Sequence, residues 1–533
     1  MRPKVLHTAP SKVTRFVIMK VAFFTLLGFL FATAALASTS WNKSPQAIKK
    51  LYDGLRAEES SQNPERYTPL RDRILRKKSK FYNKKTKDFW VNGTRGAVPD
   101  VNFDIPESYA GLLPISPSKD ESRKLWFWFF PTTGGPETKD DLVIWLNGGP
   151  GCSSLEGLLQ ENGPFTWQYG TYLPVLNKYT WVNLTNMVWV EQPVGTGFTQ
   201  GEPNIKNEEE LAVQFLGFLK NFVEKFGLHG KRIWLTGESY AGKYIPYIAD
   251  AMLNRTDTKY FNFKGSMLYD PSIDEDLYLE EVPVVPFLVR NNAIFNFPDE
   301  EVAQLQKAAD ACGFTAIYEQ GLTFPPAGPV NKTLIPARCQ LWNQVFNRAV
   351  KINPCFNIYH IMTTCPNLWD VLGFPGSFGY LPEGAKIYFN RPEVQKAINA
   401  PRVEWEECSS REVFVGLDKS PFPVPGGVLA RVVEKSERTV VAHGLLDFIL
   451  IADGTLISLN NMVWNGKRGF SKRPSRKFVV PYDNQGELGV WHEERGLTYI
   501  EIKLAGHMVP QYQPAAGYRH LEYLLGRVKN LSR

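Results

Sequence analysis

Short apolar runs punctuate this chain at intervals and set its architecture. Leu125-Trp126-Phe127-Trp128-Phe129-Phe130, Leu142-Val143-Ile144-Trp145-Leu146 and Met187-Val188-Trp189-Val190 read as strands, as do Arg232-Ile233-Trp234-Leu235 and the stretch 263–269. Between them, Leu211, Phe215, Leu219, Phe222 and Phe226 recur at helical spacing behind three glutamates, so 208–226 reads as a helix. A second helix is expected after residue 242, through Tyr244-Ile245-Pro246-Tyr247-Ile248-Ala249. Strands alternating with helices, with chemically rich loops after the strands, imply an α/β fold with a mostly parallel central sheet and helices on both faces. From about 281 to 385 the rhythm breaks into Pro-rich loops holding four of the six cysteines, which implies an inserted cap stapled by disulfides. The sheet resumes with Arg438-Thr439-Val440-Val441-Ala442 and Leu497-Thr498-Tyr499-Ile500-Glu501-Ile502. The core is therefore expected in two parts, 98–280 and 386–533. Residues 38–97 are polar and basic and read as a prosegment or a loosely attached extension.

Composition narrows the class. The 533 residues are 43% hydrophobic and 13% aromatic, enough for a large core, and the formal charge of +7 is small for the length. Much of the excess lies in Arg76-Lys77-Lys78 and Lys84-Lys85-Thr86-Lys87. A solvated or cleavable segment fits that pattern better than a nucleic-acid partner does. Residues 1–37 read as a secretory signal: Lys20, an apolar run from Val21 to Phe31, then Ala35-Leu36-Ala37 as a small-x-small cleavage pattern. No other stretch approaches membrane length. Asn92, Asn183, Asn254, Asn331 and Asn530 each open an Asn-x-Ser/Thr acceptor, with a weaker one at Asn42 where Pro45 follows. The six cysteines, 152, 312, 339, 355, 365 and 408, form no Cys-x-x-Cys pair, and in an exported chain disulfides are the default. The expectation is a secreted or vacuolar protein with no membrane span after the leader.

The candidate chemistry sits at strand ends. Gly237-Glu238-Ser239-Tyr240-Ala241-Gly242 follows a strand and precedes a helix, the layout of an elbow that lifts a serine hydroxyl to a helix N-terminus. A serine nucleophile needs a base. Of the seven histidines, His443 and His507 follow strands; His492-Glu493-Glu494-Arg495 is not a zinc-peptidase motif. Asp447 lies just beyond the strand at 439–442, giving the chain order Ser239, Asp447, His507 expected of an α/β-hydrolase. His443 would crowd the acid's loop. An oxyanion hole needs two backbone N–H groups aimed at one point, and Gly149 and Tyr240 are placed to supply them. No metal or cofactor is called for.

These residues together resemble a family. Trp145-Leu146-Asn147-Gly148-Gly149-Pro150-Gly151-Cys152-Ser153-Ser154, then Gly237-Glu238-Ser239-Tyr240-Ala241-Gly242, then Gly506-His507-Met508-Val509-Pro510 resemble the serine carboxypeptidases of the carboxypeptidase Y and cathepsin A type, over roughly 98–533. The resemblance implies an α/β-hydrolase that releases single residues from peptide C-termini. It also implies that Asn147, Glu161 and Glu238, with the Gly148 N–H, bind the substrate's terminal carboxylate. Two glutamic acids held close would share a proton, so activity at acidic pH is expected. By the same resemblance Cys152 should pair with Cys408; for the cap, nested pairs Cys312–Cys365 and Cys339–Cys355 are expected. The chain departs from the family pattern at Tyr269-Asp270-Pro271, where a Gly-Asn-Gly turn is usual. An acyltransferase of the same fold, or a secreted binding protein that keeps the scaffold without turnover, are the alternatives.

Overall fold

The computed structural model describes residues 79–330, 339–373 and 386–533, all within one unit spanning Ile74–Arg533. The expected leader, most of the extension and Asn331 lie outside the described residues. Eleven strands form the main sheet: β1 (Trp90–Val91), β2 (Ser108–Pro114), β3 (Lys124–Phe130), β4 (Asp141–Leu146), β5 (Asn186–Glu191), β6 (Arg232–Glu238), β7 (Phe263–Tyr269), β8 (Arg438–Gly444), β9 (Arg476–Val480), β10 (Gly486–Glu494) and β11 (Leu497–Ile502). Their order is β1-β2-β3-β5-β4-β6-β7-β8-β11-β10-β9. The six central strands run parallel, and antiparallel strands flank them on both edges.

The solid apolar runs follow from this placement, because a central strand buries both faces. Along β4, Leu142, Ile144 and Leu146 enter one hydrophobic cluster while Val143 and Trp145 enter the other. The first cluster is closed by helices α1 (Glu208–Phe226) and α2 (Ala241–Leu253), the second by the C-terminal helix Pro514–Leu524. Helix α1 starts where Asn207 accepts from the Glu210 N–H and stops at Gly227, which adopts φ 66°.

Two edges differ from expectation. The extension is not loose throughout: Phe81 is buried in the core and β1, at Trp90–Val91, pairs with β2. His492, which follows no clear strand in the sequence, lies inside β10.

The insertion after β7 carries α3 (Val284–Arg290), α4 (Asp299–Ala311), α5 (Phe314–Gly321) and α6 (Leu341–Ile352). Its apolar residues form a third cluster that also takes in Leu446, Phe448, Ile451 and Ile457 from the segment after β8. Cys152–Cys408 is formed as expected by resemblance. The nested cap pairs are not: Cys312 bonds Cys339, and Cys355 bonds Cys365. The reason is geometric. Cys339 precedes α6 and Cys355 follows it, and a 12-residue helix is ~18 Å long, far beyond the span of a disulfide. Pairing therefore joins the end of α4 to the start of α6, and closes the short loop behind α6.

Candidate active site

Ser239 sits between β6 and α2 with φ 59°, the left-handed conformation of a sharp strand-to-helix elbow. The elbow is pinned at both ends: the Ser239 N–H donates to the Tyr269 carbonyl at 3.0 Å, and the Ser239 carbonyl accepts from Gly242 and Ser272 at 2.8 and 2.9 Å. The turn after β4 packs directly on it. A Cβ on Gly148 would lie 2.4 Å from the Tyr240 nitrogen and 2.8 Å from Ser239 Cβ, so only glycine fits. Gly149 next to it adopts φ 109°. Among the described residues, neither the Gly149 nor the Tyr240 N–H donates to a protein acceptor.

Across the cleft, His507 Nδ1 lies 2.7 Å from Asp447 Oδ2, and both side chains are buried. Asp447 Oδ1 accepts from the Ile449 and Leu450 N–H groups at 3.0 and 3.3 Å. His507 Nε2 has no hydrogen-bond partner among the described residues. Ser239 and His507 line one cleft of about 280 Å³, together with Asn147, Gly148, Gly149, Glu156, Glu238 and Tyr359. The structure thus brings Ser239, His507 and Asp447 to one place from β6, β11 and β8. His443 is also there, as expected, but turned away: its Nε2 donates to the Leu450 carbonyl at 2.6 Å. Burial pushes His443 down to about 4, so it is neutral over most of the working range.

The insertion holds both loops. Tyr359 accepts from the His507 N–H at 2.8 Å, Ile358 from the Phe448 and Ile449 N–H groups at 2.9 and 3.0 Å, and the Ile361 N–H donates to Leu446 at 3.1 Å. Ile358, Tyr359 and Ile361 lie inside the loop closed by Cys355–Cys365.

The floor of the cleft is acidic. Asn147 Nδ2 donates to Glu238 Oε1 at 2.9 Å and to Glu156 Oε2 at 3.1 Å, while Asn147 Oδ1 accepts from Trp145 Nε1 and the Gly157 N–H. Glu161 does not line the cleft; it lies behind Glu238 on a wide turn, Gly157–Asn162, that is buried throughout. Burial first holds both Glu161 and Glu238 well above the ordinary glutamate range, with the Glu156 carboxyl next for Glu161 and the Glu161 and Glu156 carboxyls next for Glu238. Burial and Asp370 push Glu156 up to about 8. Glu156, Glu407 and the Asp270–His443 pair escape a reading of the sequence alone. Glu156 offered the one local signal, an acid set in the apolar stretch just past the Gly-rich turn. The acceptor asparagines 92, 183 and 254 are exposed and Asn530 is half-buried.

The serine carboxypeptidase family profile matches residues 99–527. A probable serine carboxypeptidase of Arthroderma benhamiae is 52% identical over 472 residues, covering 85% of this chain and 88% of that protein. Serine-type carboxypeptidase F of Aspergillus niger is 44% identical over 536 residues, covering 93% and 98%. Among solved structures, the Kex1 prohormone-processing carboxypeptidase of Saccharomyces cerevisiae shares the fold, with a TM-score of 0.65 at 23% identity over 84% of this chain and 98% of that one. On its sequence motifs, its α/β-hydrolase fold and these relatives, the chain belongs to the serine carboxypeptidase family and is a serine-type carboxypeptidase.

Proposed function

We propose that the protein releases single amino acids from peptide C-termini through an acyl-enzyme on Ser239, with His507 as base and Asp447 as its orienting acid. The observation that carries this reading is the 2.7 Å His507–Asp447 contact opening on the cleft that Ser239 lines. Ser239 Oγ attacks the carbonyl before the last residue, and its proton passes to His507 Nε2. Asp447 offsets the imidazolium charge. The Gly149 and Tyr240 amides hold the developing oxyanion. His507 then protonates the leaving amino acid and later activates water.

The substrate's terminal carboxylate is read onto the acidic floor. An ionised acid there would repel it; a protonated one donates a hydrogen bond. Glu238, gripped through Oε1 by Asn147 and close enough to share a proton with Glu161, suits that role, with the Gly148 N–H beside it. Because burial raises both acids, the donor form is complete at low pH and is lost as pH rises through their raised range. Activity is therefore favoured at acidic pH. Among the described residues no helix is long and apolar enough to cross a membrane. With the expected leader, the acceptor asparagines and three disulfides, we read the protein as exported.

The test is to offer blocked dipeptides to the purified protein and to Ser239→Ala. Release of the free C-terminal amino acid by the parent and a loss of at least ~10⁴-fold in the variant support the reading. Equal rates for the two proteins would sink it, and transfer to an added alcohol in preference to water would favour the acyltransferase.

A further inference from the structure

A second carboxyl, belonging to Asp270, is buried behind the Asp447–His507 pair. Asp270 follows β7, and its φ of 41° turns it toward the end of β8. Its Oδ1 accepts from the Gly444 N–H at 2.9 Å and lies 3.2 Å from His443 Nε2, which is itself 3.8 Å from Asp447 Oδ2. Oxygen and nitrogen atoms of Asp270, His443 and Asp447 all lie within 4.8 Å of one another, and all three side chains are fully buried.

Two carboxylates at that separation with no solvent cannot both be ionised. The donor count decides which one is. Asp447 receives more donors: the Leu450 N–H and a share of the Ile449 N–H, which also reaches the Ile358 carbonyl, on Oδ1, and His507 on Oδ2. Asp270 receives one backbone N–H, because the His443 Nε2 proton is spent on Leu450. The charge belongs on Asp447 and the proton on Asp270, whose Oδ2 accepts nothing. Burial and Asp447 push Asp270 well up, in the same direction.

Building on the Ser239–His507–Asp447 reading, we propose that Asp270 is a positioning residue: a carboxylic acid, held by the Gly444 amide, that donates its proton to Asp447. This donor fixes the rotation of the Asp447 carboxylate. It also draws charge away from Asp447 and so weakens that carboxylate's hold on the His507 ring N–H. The acid limb of the pH profile is thereby extended downward, into the range where the protonated floor acids bind substrate.

Other titratable groups face the trio from each side. Glu161 and Glu238 face it from beneath the cleft, and Tyr269 and Tyr499 from the neighbouring strands. Glu280, Tyr359 and His360 face it from the insertion. Asp453 and Tyr512 complete the shell. All stay in place in the variants below, so a difference between profiles reports Asp270.

The experiment compares kcat/KM against pH for the parent, Asp270→Asn and Asp270→Ala, alongside Ser239→Ala and thermal melts. Asn keeps a donor and cannot ionise, so its acid limb is expected within about 0.3 pH unit of the parent's. Ala removes the donor, so its limb should rise by roughly one unit, with kcat down about tenfold. If Asp270 were ionised, Asp270→Asn would delete a negative charge near the imidazolium and move the limb down by about one unit; that result overturns the proposal even if the Ala variant does not fold. An Ala limb at the parent's position overturns it as well. Turnover by Ser239→Ala equal to the parent's would instead defeat the peptidase reading, so the two failures are distinct.

Discussion

Asn147 spends both hydrogens of its amide on acids, Glu156 and Glu238, and its oxygen on Trp145 and Gly157. It therefore acts as a bracket that presents Glu238 rather than as a freely moving ligand. Removing it in Asn147→Ala should lower kcat/KM for free peptides about 10- to 100-fold and leave C-terminally amidated peptides much less affected, because the lost contact involves a charged group. The proton on the floor makes a second expectation. In the triple variant Glu156→Gln, Glu161→Gln, Glu238→Gln, none of the three floor acids remains to ionise, so the fall in kcat/KM from about pH 6 to 8 should flatten. A fall as steep as the parent's would place the responsible group elsewhere. Residues with a local signature were readable along the chain: Ser239 in its elbow, His507 and Asp447 after strands. Asp270 and Glu407 were not. Nothing beside them in the sequence marks a carboxyl that only becomes significant when distant strands bring it against another.

At the level of elements, the two small disulfides of the insertion do different work. Cys312–Cys339 ties helix α4 to α6 and touches neither site loop. Cys355–Cys365 closes the loop whose backbone holds the segments bearing Asp447 and His507. Replacing the first pair with serines should lower stability by about 2–4 kcal/mol while leaving kcat near the parent's. Replacing the second should cut kcat about tenfold or more, with melting and kcat compared on the same samples. Similar kcat values for the two would show that the loop contacts are dispensable. Mapping of peptides without reduction checks the pairings themselves. Elements with long, uniform patterns matched their predicted bounds: 208–226, 263–269 and 497–502 agree with α1, β7 and β11. Strands β9 and β10 went unread because they lie toward the sheet's edge, where one face meets water and the apolar signal thins; β2 is largely buried but its Ser-Tyr-Ala-Gly start gives no continuous apolar run.

Over the whole molecule, buried acids set the response to pH. Burial raises Glu191 and Glu501 to about 7, Glu156 and Glu280 to about 8 and Asp370 to about 6, and holds Glu208 and Glu407 well up. Each folded acid keeps its proton above the pH at which the unfolded chain would release it. The stability they contribute is complete below the ordinary glutamate range and is lost as pH climbs through the raised values. Buried His360 and His443, lowered to about 4, and His520, lowered to about 3, act in the opposite sense, but only below the ordinary histidine range. Above that range only the acids count. The melting temperature should therefore drop by several degrees between about pH 5 and pH 8. A melting temperature that is flat or rises over that interval would contradict this.

The backbone clasp at 358–361 has a further consequence for anyone who would retune selectivity. A transplanted lid that ends short of this stretch would bring new walls for the peptide and at the same time unhitch the acid and the imidazole from their common anchor. Chimeras should be cut so that the 355–365 knot stays with the recipient scaffold, and the donor supplies only the helices upstream of it.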